Sequence, residues 1–168
     1  RTSVAAYHQY NYLLARENLT DHLEKKDKTN KIRQRLLKIR AKKVILATGA
    51  LERPMVFNNN DRPGIMLSSA IKKYSDFYGV ACGRKIVFFT NNDSAYESAL
   101  SLNNKGIKVE AVVDIRKQSE TNLEKRVIDA GIKIYWEHTV VDTSGYKRLS
   151  NVSIMKLSND GTSVTGNK

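Results

Sequence analysis

The sequence has a single cysteine, Cys82. No intrachain disulfide can form, and a four-cysteine metal site is excluded. A reducing, cytoplasmic setting is the natural expectation. Proline is almost as scarce: Pro54 and Pro63 are the only two of the 168 residues, and both fall between residues 50 and 64. No apolar run approaches the ~18 residues that a membrane span requires, so no membrane partner is expected. No secretory signal is visible in this stretch of sequence, where an internal piece would not show one. Acidic residues are also few, 17 against 29 Lys and Arg, for a formal net charge of +12. The three histidines, His8, His22 and His138, lie far apart and show no ligand spacing.

What is present is ordinary for a globular chain, with 40% hydrophobic and 27% charged residues. The positive charge raises a nucleic-acid reading. Many of the lysines sit in the polar stretch from Lys25 to Lys43, and the others scatter over predicted helices and strand edges. A phosphate reader needs its cations on one face, so no nucleic acid is expected as a partner. The chain opens at Arg1 without an initiator Met and closes on Asn167-Lys168, which reads as an internal piece of a larger protein.

Alternation predicts one long strand over residues 3–15, with Val4, Ala6, His8, Tyr10, Tyr12 and Leu14 on one face. The polar segment 17–34 reads as a connection, and residues 35–41 alternate again. Val44-Ile45-Leu46-Ala47-Thr48-Gly49 is an unbroken apolar run ending at glycine, as expected for a strand buried on both faces of a parallel sheet. Residues 50–64 hold both prolines around Asn58-Asn59-Asn60-Asp61 and read as a linker. Leu67, Ala70, Ile71, Tyr74, Phe77 and Tyr78 then recur at helical spacing, with Gly79 placed to end the helix.

The next stretch is regular. Residues 85–90 form a buried strand, and Asn92 or Asp93 can cap a helix that runs to about Lys105. Residues 109–114 form a second strand. Ser119 or Thr121 can cap a second helix that ends at Gly131, and residues 132–136 form a third strand. This β-α-β-α-β order implies a parallel sheet with right-handed crossovers. Residues 139–143 and 152–157 read as antiparallel strands around a Ser144-Gly145 turn. The expected class is α/β: a Rossmann-like three-layer domain with a parallel sheet and β-meander (65–168), preceded by a linker (50–64) and an incomplete piece of a second dinucleotide-binding domain (1–49).

A strand-loop-helix unit of this kind holds pyrophosphate when glycines occupy three loop positions. They permit the tight turn, the approach of backbone to phosphate, and close helix packing. Here those positions hold Thr90, Asn92 and Ala95. Side chains take the place of phosphate, and Asp93 adds a negative charge where an anion would bind. Asp114 ends the second strand at the distance expected of a ribose ligand. Thr90, Asn91, Asn92, Asp93 and Asp114 are therefore the candidate nucleotide residues of this domain. The bland reading, a domain that keeps the fold and has lost the nucleotide, is preferred over the functional one. An NAD(P)H domain of the pyridine nucleotide-disulfide oxidoreductase type is the alternative, but it requires glycine at 90 and 92. Cys82 lacks a paired histidine, and no catalytic residue is assigned.

Three stretches carry a resemblance to a known family. They are residues 42–54 (KKVILATGALERP), residues 60–67 (NDRPGIML) and residues 89–96 (FTNNDSAY). Together with the opening Arg1-Thr2-Ser3-Val4, they resemble the alpha subunit of heterotetrameric sarcosine oxidases, among flavoproteins with two dinucleotide domains. The resemblance implies a central piece of an enzyme that converts sarcosine to glycine and formaldehyde with production of hydrogen peroxide. It implies NAD in the alpha subunit, FMN between alpha and beta, FAD in beta, and tetrahydrofolate as one-carbon acceptor. The implied partners are the beta, gamma and delta subunits. Val4 then matches a position beside adenine, and Thr48 and Gly49 end the strand that closes the dinucleotide site. The resemblance implies a cofactor-holding scaffold role with no catalysis by this chain alone.

Overall fold

The computed structural model describes residues 2–24 and 31–166. The lysine-rich part of the expected connection, residues 25–30, lies outside the described residues. The chain divides into two compact units, Arg1–Ala50 and Leu51–Lys168.

The first unit is an antiparallel meander of β1 (Thr2–His8), β2 (Tyr12–Asn18) and β3 (Gln34–Arg40), in the order β1-β2-β3. The single strand expected over 3–15 is thus two strands, joined by a 3-10 turn at Gln9–Asn11. The turn contains no glycine or proline to announce it. Tyr10 and Asn11 adopt φ of 60° and 55° instead. Asn tolerates this left-handed region better than most residues. Its side chain is held by the Tyr7 hydroxyl at 3.1 Å and donates to the Lys42 carbonyl at 3.1 Å.

Residues 44–49 do not form the expected doubly buried strand. No ladder includes them, Ile45 is 90% exposed and Leu46 68% exposed. An apolar run becomes a central parallel strand only when neighbours pair with both its edges. The described strands of this unit pair only with one another.

The second unit begins with residues 51–67, which carry no helix or strand. The part expected as a linker is nonetheless packed. Asn58 and Asn59 each donate to Asp142 Oδ1 at 3.0 Å, the Thr143 hydroxyl donates to the Asn59 carbonyl at 3.1 Å, and the Leu149 N–H donates to the Pro63 carbonyl at 2.8 Å. α1 (Ser68–Tyr78) follows and ends, as the pattern implies, on Gly79 in the left-handed conformation.

Then come β4 (Lys85–Thr90), α2 (Ser94–Asn103), β5 (Lys108–Asp114), α3 (Asn122–Asp129) and β6 (Lys133–Trp136). The three strands pair in parallel in the order β4-β5-β6. α3 starts with a reciprocal capping box between Thr121 and Glu124, to which the Ser119 hydroxyl adds a bond of 2.8 Å. Phe88, Tyr96, Ala99, Leu102, Val112 and Val127 centre the core where α2 and α3 cover this sheet.

β7 (His138–Ser144), β8 (Asn151–Leu157) and β9 (Val164–Thr165) close the chain as an antiparallel sheet. The last short strand has no counterpart in the sequence reading. Glycine is required in the β7–β8 turn. At Gly145 φ is 150°, and a Cβ there would lie 2.0 Å from the Arg148 carbonyl oxygen.

Candidate functional site

The candidate loop runs from the end of β4 into α2. Thr90, the last residue of β4, is 4% exposed. Its hydroxyl donates to the Asn92 carbonyl at 2.9 Å and accepts the Asn92 N–H at 3.0 Å. Asn92 Oδ1 in turn accepts the Ser94 N–H at 3.1 Å, and Asn92 Nδ2 donates to Asn91 Oδ1 at 3.0 Å. Two backbone N–H groups that a pyrophosphate would need at this helix start are therefore already bonded to side-chain oxygens. Glycines would leave them free. Threonine and asparagine instead bond the loop to itself.

Asp114, at the end of β5, is 1% exposed. It accepts the Tyr96 hydroxyl at 2.7 Å, the Arg116 backbone N–H at 2.8 Å, and the Arg116 guanidinium at 2.8–3.2 Å. The same guanidinium reaches Asp93 at 2.8 Å. Tyr96, Asp114, Arg116 and Asp93 thus form one continuous chain across the mouth of the β4–α2 loop. Burial, reinforced by the Asp114 carboxylate, pushes the Tyr96 hydroxyl well above its ordinary range. The bonds to Asp114 hold the Arg116 guanidinium charged against the cost of its burial, with Asp93 adding to them. A ribose hydroxyl approaching Asp114 would have to displace one of these partners.

The sequence singled out Asp93 and Asp114 but missed Tyr96 and Arg116. Arg116 had a readable signal, since a cation two residues past a strand-ending Asp can fold back on it. Tyr96 had none, because an aromatic residue in the first turn of a helix is ordinarily core.

The other candidates lie elsewhere. In the first unit, Val4 is 65% exposed on β1. Thr48 and Gly49 are exposed as well, and Gly49 has φ of 72° with nothing within 4 Å of where a Cβ would stand. Gly49 therefore leaves open space beside its backbone.

The second unit also contains a cavity of about 260 Å³. It is bounded by Phe57, Ile65 and Leu67, by Ile71 of α1, by Ile86 to Phe89 of β4, and by Val140 and Val152 of the hairpin. Glu52 stands at its edge. Its carboxylate accepts the Ser68 and Ser69 N–H groups at 2.9 and 2.7 Å, capping α1 from 16 residues upstream. Burial pushes this carboxyl up, but the bonds from Ser69 and Ser68 outweigh it, and Glu52 stays below the usual range. The cavity is smaller than the ~300–1,000 Å³ usual for a small-molecule site and is mainly apolar, so it does not suit a dinucleotide.

Among the described residues, no three His, Cys, Asp or Glu side chains are grouped to hold a metal ion. No described helix is long and apolar enough to cross a membrane.

No family model matches the chain. Individual proteins do. The chain is 41% identical over 162 residues to the sarcosine oxidase subunit alpha of Corynebacterium sp. (strain P-1), covering 95% of this chain and 16% of that protein. It is 35% identical over 154 residues to the subunit alpha of Rhizobium meliloti (strain 1021), covering 92% and 15%. The chain therefore spans about a sixth of the length of these curated relatives. Among solved structures, it is similar to T. acidophilum thioredoxin reductase, with a TM-score of 0.54 and 15% identity over 73% of this chain and 41% of that one. A FAD-dependent pyridine nucleotide-disulphide oxidoreductase from Desulfovibrio vulgaris matches with a TM-score of 0.50 and 17% identity, over 91% and 39%. These two likenesses show the fold, which is that of dinucleotide-binding oxidoreductases.

Proposed function

We propose that this chain, related over nearly its whole length to sarcosine oxidase alpha subunits, acts as a scaffold segment within an amine-oxidising flavoenzyme complex. In this reading the complex oxidises sarcosine to glycine and formaldehyde with production of hydrogen peroxide, and this segment carries no catalytic residue. NAD belongs to the alpha subunit, FMN to its boundary with beta, FAD to beta, and tetrahydrofolate accepts the one-carbon unit. Beta, gamma and delta subunits are its partners in the cytoplasm. Residues 1–49 contribute to a first dinucleotide domain, with Val4, Thr48 and Gly49 near the cofactor. Residues 50–64 connect it to a second, Rossmann-like domain at 65–168.

The carrying observation is the 41% identity over 95% of the chain. The geometry of the β4–α2 loop supports the scaffold part of the reading. Its hydroxyl and amide groups bond to the loop itself, and Asp114 is engaged by Tyr96 and Arg116. The same observations weigh against an NAD(P)H-binding domain with reductase activity of its own, although the fold is shared with such enzymes. A nucleic-acid role has no support from either kind of relative.

The test is a calorimetric titration of the chain with NAD, FAD and FMN in turn. No binding at millimolar ligand is expected for the second unit. Binding that shifts the NMR signals of residues 90–95 and 114 would overturn the scaffold reading in favour of a working nucleotide site.

A further inference from the structure

A hairpin turn with two successive residues at positive φ is ordinarily filled by asparagine and glycine, because a Cβ is crowded there. The β1–β2 turn places Tyr10 at the first of its two such positions, with φ 60° and ψ 33°, and Asn11 at the second. Asn11 fits its position and is hydrogen-bonded on both sides, to the Tyr7 hydroxyl and the Lys42 carbonyl. Tyr10 has no comparable return. Its side chain is 82% exposed, and among the described residues no hydrogen bond or ring contact involves it. A bulky side chain held in an unfavourable conformation, with no contact inside its own unit, points to a contact outside it.

The surroundings of the turn say what kind of contact. His8 pairs with Tyr12 across β1 and β2, and Tyr12 pairs with Arg40 across β2 and β3. The His8 and Tyr12 rings lie 6.0 Å apart, and the Arg40 guanidinium stands 5.9 Å from the centre of the Tyr12 ring. By alternation Lys38 shares a face of β3 with Arg40, and Lys42 and Lys43 follow directly after. Tyr7 is 52% exposed beside the turn. No Asp or Glu occurs in residues 1–16 or 34–51. Carboxylates enter only toward the other end of the meander, where Glu17 holds Arg35 and Asp21 holds Arg33. The tip therefore carries aromatic side chains and positive charge with no acidic residue of its own. An exposed aromatic anchor among cations is complementary to a pocket with an apolar floor and a carboxylate rim.

We propose that the β1–β2 turn is a docking tip, whose Tyr10 inserts into an apolar, carboxylate-rimmed pocket on a separate polypeptide of the same assembly. The choice of partner rests on the reading above, that the chain works inside a multi-subunit complex, and on the charge of the tip. A strand of nucleic acid also suits aromatic rings and cations, but it is held in a groove that tracks its backbone. A hairpin end is convex and enters a concavity instead. A second copy of this chain would bring its own positive charge, +12 in all, against the same cations.

Tyrosine nitration by tetranitromethane, read by mass spectrometry, tests the tip. It is applied to the alpha-subunit-length polypeptide, alone and assembled with its beta, gamma and delta subunits. Tyr10 should be nitrated readily in the free polypeptide and protected in the assembly. Tyr10→Asn should weaken association about 30-fold, as for the loss of an aromatic anchor. In the free variant, amide protection of β1 and β2 should stay at or above the wild-type level, because asparagine tolerates the left-handed turn better. Association of the wild type should also weaken as salt rises. Equal nitration in both states overturns the proposal, as does wild-type association by Tyr10→Asn or no association at all. Protection already present in the free polypeptide overturns it too, by assigning the contact to the same chain. Single-stranded DNA binding that depends on Tyr10 would assign the tip to nucleic acid. Should the variant loosen the hairpin, nitration of the wild type decides alone. Sarcosine-dependent peroxide production reports separately on the functional reading. Activity with Tyr10 unprotected removes the docking tip and leaves the enzyme assignment, and protection without activity does the reverse.

Discussion

Replacing Arg116 with Met should destabilise the second unit far more than replacing Asp93 with Ala, although both changes break the same ion pair. The difference lies in what each leaves behind. Asp93 is 56% exposed, and its loss frees one end of a guanidinium that is itself 37% exposed. Exposed pairs of this kind contribute about 0–1 kcal/mol. Arg116→Met instead strands the Asp114 carboxylate, which is 1% exposed, without its cation. Removing one partner of a fully buried pair costs about 3–5 kcal/mol. Asp114 keeps the Tyr96 hydroxyl and the Arg116 backbone N–H, and Arg116 is partly solvated. A loss of about 2 kcal/mol is therefore expected, as for a charge-assisted hydrogen bond. In a unit of this size that is a fall in Tm of roughly 10 °C. Thermal and urea unfolding of the two variants and the wild type would measure it. If Arg116→Met is no more destabilising than Asp93→Ala, the Tyr96–Asp114–Arg116 chain does not hold the loop, and its closure needs another explanation.

The raised Tyr96 hydroxyl gives a pH signature. Below the ordinary tyrosine range, about 10, folded and unfolded chains both hold this proton. Above it the unfolded chain releases the proton first, so stability falls as pH rises. Tyr96→Phe should remove that part of the slope between about pH 9 and 11, and parallel melting curves for the two proteins would contradict it. Glu52 behaves in the opposite sense. Its carboxyl lies below the usual range, so its contribution is present at neutral pH and is lost as pH falls through its folded value. Glu52→Gln should cost about 1 kcal/mol at pH 7, as for other lost helix caps, and progressively less as pH falls below the usual carboxylate range; urea titrations over a series of acid pH values would show it. Gly145→Ala should lower the Tm and disturb the β7–β8 hairpin, because its Cβ would meet the Arg148 carbonyl. Unshifted NMR signals for residues 144–150 would contradict that.

Much of the second unit could be read before any coordinates. The periods of β4, α2, β5, α3 and β6, the glycine that ends α1, and the choice of Ser119 or Thr121 as cap of α3 are local matters, and neighbouring residues decide them. The loop's departure from glycine at 90 and 92 was equally plain, because a side chain at those positions is a fact of the sequence. Tertiary structure alone decided the rest. The turn at Tyr10 and Asn11 uses positive φ without glycine, so no residue type marks it. Residues 44–49 read as a buried strand because they are apolar, but burial depends on neighbours that periodicity cannot supply. Glu52 caps a helix 16 residues away, and Tyr96 and Arg116 meet on Asp114 across 18 and 2 residues. Short-range pattern specifies which element forms. Which side chains face one another across elements is set by the packing of the layers, and the closed state of the β4–α2 loop follows from that packing.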